Sequence, residues 1–449
     1  MIRKRGFGWA DVIGPTGIAL VVATVCLWIF NAGLARFADV HRVFGSIGLL
    51  TGLLSSILMI LQVLLLARIP WVERAWGHDL LAHRHRWLGF WSFWLMIVHV
   101  IAFAIDRWRT NPTAAVGALL DVFIRDPWML WATVGTALIV VVVVTSIRYA
   151  RARMRYESWH LLHLYAYLGM AFALPHQIAD GADFHGIVAQ VYWWGLYAFA
   201  LIVTIVFRIL VPVYRSLYHQ LRVVGVTEEG PGVVSVRMRG RHLDRLNPRS
   251  GQFFIWRFLD GPGWTRGNPY TLSDAPDGTH LRVTIQASGQ GSARVADLKP
   301  GTRVAIEGPY GTMTVARRLH DRLLFMAAGV GITPLRALIG EFTYTPGTAT
   351  LIYRYTSDEH AIFVDELELL AAERGLRVIY LPGGRRDDGS WLPAGYTAAD
   401  DEALEELVPA VREHDVFICG PPAWVRAVKH AAQRAGAARH QIHSEDFAW

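Results

Sequence analysis

Two cysteines in 449 residues leave little room for thiol chemistry. Cys26 lies in an apolar run and Cys419 in the later, more polar half, so a disulfide between them is not expected. No cysteine-based zinc or iron–sulfur site can be assembled from so few thiols. Charge is scarce too: 18% of residues are charged, where soluble domains carry about 25%. The shortage is local, because apolar residues concentrate before about residue 211 and most acidic residues follow it. Internal repeats, low-complexity tracts and calcium-binding loops are also missing from the pattern. The net charge of +7 could suit a nucleic acid, but many arginines sit at the ends of apolar segments. There they read as topology determinants, and nucleic acid is not an expected partner.

What the first half does contain is membrane-length hydrophobic sequence. Crossing about 30 Å of hydrocarbon takes about 20 helical residues. Six segments qualify, at about 12–34, 44–67, 86–105, 128–147, 159–178 and 187–211. The opening MIRKR and its apolar run are too long for a signal peptide and lack a cleavage site, so the run is read as the first span. Arg3, Lys4 and Arg5, then Arg68, Arg74, Arg84 and Arg86, then Arg148, Arg151, Arg153 and Arg155 fall on one side. The opposite loops are poorer, with Arg36, Arg42, Arg107, Arg109 and Arg125. The expectation is an integral protein of the bacterial plasma membrane with both termini in the cytoplasm.

Histidines cluster in two of these spans. The third holds His85 and His99, with His83 just before it; the fifth holds His160, His163 and His176. The two spans run the same way, which sets His85 level with His163 and His99 level with His176. The levels are about 20 Å apart at 1.5 Å per residue. Two bis-histidine b-type haems, one per leaflet, fit that arrangement. His85 and His99 fall within about 40° of one another on an ideal helix, but His163 and His176 differ by roughly 140°. Pro175, directly before His176, is the residue able to distort that turn. His83 and His160 are the alternative inner pair; spacing favours His85 and His163.

From about residue 219 the pattern changes to short β-rich runs such as GVVSVRMRG and HLRVTIQA between Gly and Pro turns. This predicts a small antiparallel barrel. From about 320, apolar strands (RLLFMAA, ATLIYRY, LRVIYLP, DVFICG) alternate with helical stretches, which predicts a parallel α/β sheet. Domains are placed at 1–211, 212–318 and 319–449. Between strand and helix, AAGVGITPL carries Gly329-x-Gly331-x-x-Pro334.

The segment RGNPYTLSDAP resembles the flavin-binding strand of the ferredoxin–NADP reductase superfamily. The resemblance implies that Tyr270 stacks on the isoalloxazine and Thr271 hydrogen-bonds near its redox-active nitrogen. Asn268, beside Pro269, stands where a basic residue is usual, and Arg266 is positioned to compensate. Gly289 and Ser292 resemble the site for the FAD pyrophosphate, and Gly329, Gly331 and Pro334 the NAD(P)H pyrophosphate loop. Cys419, Gly420 and Pro421 close a strand at the implied nicotinamide position. Phe447 resembles the C-terminal aromatic that shields the flavin. For cofactor choice, Arg354, Arg385 and Arg386 lie just past sheet strands, where a guanidinium can hold the 2′-phosphate of NADPH; NADH is the alternative.

Together the two halves resemble the ferric reductase / NADPH oxidase superfamily over residues 40–449. The architecture expected is a six-helix transmembrane bundle, an antiparallel β-barrel for FAD and an α/β parallel-sheet domain for NAD(P)H. The activity implied is electron transfer from cytoplasmic NAD(P)H through FAD and two haems to a small acceptor outside, a ferric chelate or O2. A haem-free tethered flavin reductase and a quinone-reactive b-type cytochrome are the alternatives. Near the outer side, Asp180, Asp183 and His185 are candidates to hold ferric iron, against the plainer reading of a solvated loop.

Overall fold

A computed structural model describes residues 8–31, 33–39, 42–110, 126–154, 156–179, 181, 184, 186–261, 267–287 and 290–444. The chain divides into two compact units, one of Phe7–Ala75 and Leu80–Arg208, the other of Trp76–Asp79 and Ile209–Trp449.

The first unit is helical: α1 (Ala10–Phe30), α2 (Val43–Leu65), α3 (Pro70–Thr110), α4 (Pro127–Ser146), α5 (Tyr156–Ala179) and α6 (Ile187–Ile205). Uninterrupted Leu, Ile and Val runs form helices here because a backbone in hydrocarbon must satisfy its own hydrogen bonds. Polar side chains within the runs do the same. Thr24, Thr51, Thr133 and Thr145 each donate to the carbonyl four residues earlier. The Asp126 carboxylate accepts from Trp128 N–H at 2.9 Å and, with Pro127 behind it, starts α4. Helix α3 breaks at Gly77, whose φ of 70° favours glycine.

Among the described residues, five helices, not six, are long and apolar enough to cross a membrane. The expected fifth span is a helix of 24 residues, α5, but its three histidines, Glu157 and Gln177 dilute its apolar character. It is held by close packing instead. A Cβ at Gly135 would lie 2.6 Å from the Gly169 carbonyl, so α4 and α5 touch backbone to backbone. Helices α1, α2 and α6 share a core of Trp28, Leu53, Ile57, Ile60, Trp193 and Ala200.

A π-helical turn, Val206–Leu210, passes into α7 (Val211–His219) of the second unit. Six strands follow: β1 (Arg222–Gly230), β2 (Val233–Arg239), β3 (Phe253–Phe258), β4 (Asn268–Thr271), β5 (His280–Gln286) and β6 (Val304–Tyr310). They do not close into the expected barrel. Two open three-stranded antiparallel sheets form instead, β1-β2-β5 and β4-β3-β6. Among the described residues they meet through isolated bridges, Arg222 to Arg303 and Leu272 to Val283, because β4 has four residues and ends before a ladder to β5 can develop.

The remainder is the expected parallel sheet. Strands β7 (Arg322–Ala328), β8 (Ala349–Tyr355), β9 (Arg377–Pro382), β10 (His414–Cys419) and β11 (Ile442–Ser444) lie in the order β11-β10-β7-β8-β9. Helices α8 (Ile332–Glu341) and α9 (Val364–Arg374) cover one face; α10 (Asp400–Leu407) and α11 (Pro422–Arg434) cover the other. Burial on both faces explains why β7 after Arg322 and β10 after Asp415 read as unbroken apolar runs. The strand order reverses between β7 and β10, and a crevice for a ligand lies at the carboxyl ends of such a pair.

Candidate functional site

In the helical unit, α3 and α5 bring their histidines together in two pairs. The His85 and His163 rings have centroids 5.9 Å apart, and those of His99 and His176 are 6.4 Å apart. A metal ion held by two imidazole nitrogens at about 2 Å each separates the ring centroids by roughly 6 Å. The outer pair forms despite the angular offset between His163 and His176 on an ideal helix. The ring facing His85 is that of His163, while His83 is exposed.

Hydrogen bonds fix the tautomer of three rings. His85 Nδ1 lies 3.1 Å from the Gln62 carbonyl and His99 Nδ1 2.7 Å from the Gly48 carbonyl. A carbonyl only accepts, so Nδ1 carries the proton and Nε2 keeps its lone pair. For His163 the partner is Ser146 Oγ at 3.3 Å. That hydroxyl already donates to the Val142 carbonyl at 2.7 Å, so it accepts from His163 Nδ1 as it does from Trp159 Nε1. Backbone or hydroxyl contact to one ring nitrogen is what orients a metal-ligating histidine. His176 Nδ1 is buried. Space is made by small residues: a Cβ at Gly52 would stand 2.5 Å from His99 Nδ1, and one at Gly48 2.7 Å from Phe103.

In the second unit, Tyr270 and Thr271 end β4, opposite Phe254 and Phe253 of β3. The Trp256 indole donates to the Tyr270 carbonyl at 2.8 Å, and burial pushes the Tyr270 phenol up to about 12. The Thr271 hydroxyl is buried and has no hydrogen-bond partner among the described residues. A buried hydroxyl left so is costly unless a ligand supplies the partner. Asn268 and Pro269 lie on the same strand, opposite Trp256 and Ile255. Ser292 belongs to the short helix Gln290–Ala293. Arg266, Gly289 and Phe447 lie outside the described residues, as do Asp180, Asp183 and His185.

The Gly-rich loop sits at the switch point. Gly329 takes a φ of 56°, and a Cβ at Gly331 would be 2.4 Å from the Cys419 carbonyl. A Cβ at Gly420 would be 3.0 Å from Ala328. Thus Gly329, Gly331, Cys419 and Gly420 meet where β7 and β10 end, with buried Pro334 in the first turn of α8 and Pro421 capping α11. Only backbone can approach a ligand that closely.

The three arginines separate. Arg354 Nη2 donates to the Gly384 carbonyl at 2.9 Å, while its Nε is buried without a partner among the described residues. Partial burial and the nearby charge of Arg385 lower the Arg354 pKa. Arg386 instead pairs with Asp388 at 2.5 Å.

Four charged residues that sequence reasoning passed over join the two lobes of this unit. Arg282 on β5 holds Glu366 on α9 through bonds of 2.5 and 2.9 Å, Arg336 on α8 reaches Glu366 at 2.5 Å, and Arg336 also contacts Asp274. Asp274 and Arg336 lie in or beside the two cofactor motifs, in TLSDAP and ITPLRAL. Among the described residues no group of three or more His, Cys, Asp or Glu is arranged to hold a metal.

Comparison with known proteins divides along the same line. Residues 51–174 match the family described as ferric reductase like transmembrane component, and residues 325–430 match the oxidoreductase NAD-binding domain. The chain is 33% identical over 197 residues to ferredoxin–NADP reductase B of Sorangium cellulosum, covering 41% of this chain and 80% of that one. It is 29% identical over 236 residues to the reductase subunit of stachydrine N-demethylase of Rhizobium meliloti, covering 51% of this chain. It spans 66% of that subunit's length and 57% of the ferredoxin reductase component of 3-ketosteroid-9-alpha-monooxygenase of Rhodococcus rhodochrous. Among solved structures, the FAD/NAD-binding domain of a Vibrio cholerae nitric oxide dioxygenase aligns at a TM-score of 0.42 and 22% identity, covering 51% of this chain and 98% of that one.

Proposed function

Because this chain belongs to the ferric reductase-like family, with a transmembrane component fused to a ferredoxin–NADP reductase-type module, we propose that it carries electrons from NAD(P)H through FAD and two b-type haems to a small acceptor across the membrane. The chain is an oxidoreductase with an FAD- and NAD(P)H-binding module in an integral membrane protein. FAD and haem would supply, respectively, the conversion of a two-electron donor to single electrons and one-electron carriage.

The observation that carries the haem reading is the two matched imidazole pairs, at 5.9 and 6.4 Å. His85 and His163 would hold one haem; His99 and His176 would hold the other. The Gln62, Gly48 and Ser146 contacts orient three of the rings. Tyr270 and Thr271 suit the flavin ring, Thr271 through its unpaired hydroxyl. Gly329, Gly331 and Gly420 keep the nucleotide crevice open. Arg354 and Arg385 favour NADPH, since two guanidinium groups that raise one another's cost are relieved by a phosphate. A ferric chelate or O2 is the acceptor class that family membership favours.

Replacing each of His85, His99, His163 and His176 by Ala tests this. Each variant, purified in detergent, should lose about half of the b-type haem per FAD, one pair being broken each time. Full haem in all four variants would remove the assignment.

A further inference from the structure

Helix α7 uses one face to hold the flavin-side sheet. Ser216 Oγ accepts from the Ile306 N–H at 3.0 Å and donates to its carbonyl at 3.3 Å, and Arg215 bonds to the Gly308 carbonyl. The other face is bare. Leu210, Val213, Tyr214 and Leu217 follow the i, i+3, i+4, i+7 pattern of a single helical stripe. They are 55, 52, 62 and 69% exposed. This stripe is the end of the apolar stretch Ile187–His219, so it runs on from side chains suited to hydrocarbon.

Cations and aromatic rings border the stripe. Tyr218 stacks on Tyr214, with centroids 5.5 Å apart, and on His242 at 5.2 Å. Arg245 donates to the Tyr218 hydroxyl at 2.5 Å. The Arg241 N–H donates to the His219 carbonyl at 2.6 Å, and His219 Nδ1 donates back to the Arg241 carbonyl at 3.0 Å, which ties the loop to the helix end. Arg241 and Arg245 are exposed, and neither is in an ion pair with a carboxylate among the described residues. Asp244, on the same turn, lies beside Gly278.

We propose that this face of α7, with Arg241 and Arg245, is an interfacial anchor that binds anionic phospholipid headgroups of the leaflet where the last apolar helix ends. Leu210, Val213, Tyr214 and Leu217 seat at the boundary of headgroups and acyl chains. Tyr218 lies at headgroup level, where tyrosine is favoured. The two guanidinium groups reach the phosphates, with their stems along apolar surface. A lipid fits better than a protein partner because the stripe continues a membrane segment and its border is basic, the composition of helices that lie in the interface.

Hydrogen exchange of the full-length, FAD-loaded protein in nanodiscs tests the anchor. Phosphatidylcholine discs are compared with discs rich in phosphatidylglycerol. Exchange over residues 240–247 should slow roughly tenfold or more in the anionic discs, from two arginines near a charged surface. High salt should remove the effect. So should Arg241→Glu combined with Arg245→Glu, in a variant that keeps its FAD and its NAD(P)H–dye turnover. Equal exchange in the two lipids overturns the proposal. Protection in phosphatidylcholine discs on adding inorganic phosphate, or protection that follows protein concentration and not lipid charge, overturns it too, pointing to a general anion site or a second copy.

Discussion

Arg385 and Arg386 are neighbours with the same chemistry and different surroundings. Asp388 holds Arg386 at 2.5 Å, so that charge is already answered. Arg385 stands instead near Arg354, whose Nε is buried without a partner among the described residues. In the proposed function these adjacent like charges take the 2′-phosphate of NADPH, the group that distinguishes the two nicotinamide cofactors. A charge-assisted hydrogen bond is worth about 1.5–3 kcal/mol. Replacing Arg354 or Arg385 by Ala should therefore raise the KM for NADPH roughly tenfold or more and leave that for NADH nearly unchanged. Arg386→Ala should change both by less than about threefold, as expected for loss of a partly exposed ion pair. Steady-state kinetics of the three variants with both cofactors decides it. Equal losses for NADH and NADPH would rule out the phosphate role. In the sequence the two arginines are indistinguishable, because their difference rests on a side chain two residues further on turning back.

Between elements, legibility followed burial. Strand β7 was readable because both faces are covered and every residue after Arg322 is buried. The Gly329–Pro334 loop was readable because strand, glycines and helix stand in sequence. The histidine pairs were readable by depth, although helix angle alone argued against His176. Closure of the barrel was not readable, since it depended on edge pairing that reduces to single bridges. Nor was the cluster of Asp274, Arg282, Arg336 and Glu366, whose members come from four separate segments and meet only in the fold. That cluster carries a pH signature. Burial raises the Glu366 pKa, but the Arg282 hydrogen bonds and the Arg336 charge outweigh it and hold the carboxyl below its usual range. A depressed folded value means stability that is present above the unfolded value, about 4.3. It is lost as pH falls through the folded value. Glu366→Gln should destabilise the reductase half by about 1–2 kcal/mol at neutral pH, allowing for the screening of a partly exposed pair. The gap from wild type should close below about pH 4. Denaturant unfolding followed by flavin fluorescence across that range measures it, and a gap independent of pH would show that the pair contributes through packing alone.

At the scale of the molecule, the two units have separate cores. The helical one rests on Trp28, Ile57, Ile60 and Trp193; the other has a core in the flavin-side sheets and two more against the faces of the parallel sheet. The orphaned Thr271 hydroxyl, the Gly331–Cys419 approach and the Arg354–Arg385 pair all fall in the second unit. The histidine pairs all fall in the first. In the proposed function, collection of electrons from a nucleotide is thus built apart from their passage across the membrane. A fragment of residues 209–449 is therefore expected to fold, to bind added FAD and to reduce an artificial dye with NADPH. It should contain no haem and should not reduce an acceptor sealed behind a membrane. Its bare α7 stripe should make it adsorb to anionic vesicles, and exchange of Leu217 for Ser should weaken that adsorption without touching dye turnover. The full chain in sealed vesicles, supplied with NADPH on the reductase side and ferric citrate on the other, should transfer electrons across. The His99→Ala variant should keep its dye turnover and lose transfer by at least about tenfold, because an ordered carrier is removed from an insulating layer. A folded fragment that neither binds FAD nor reduces the dye would break the assignment of the second unit. Unchanged transmembrane transfer in His99→Ala would break that of the first.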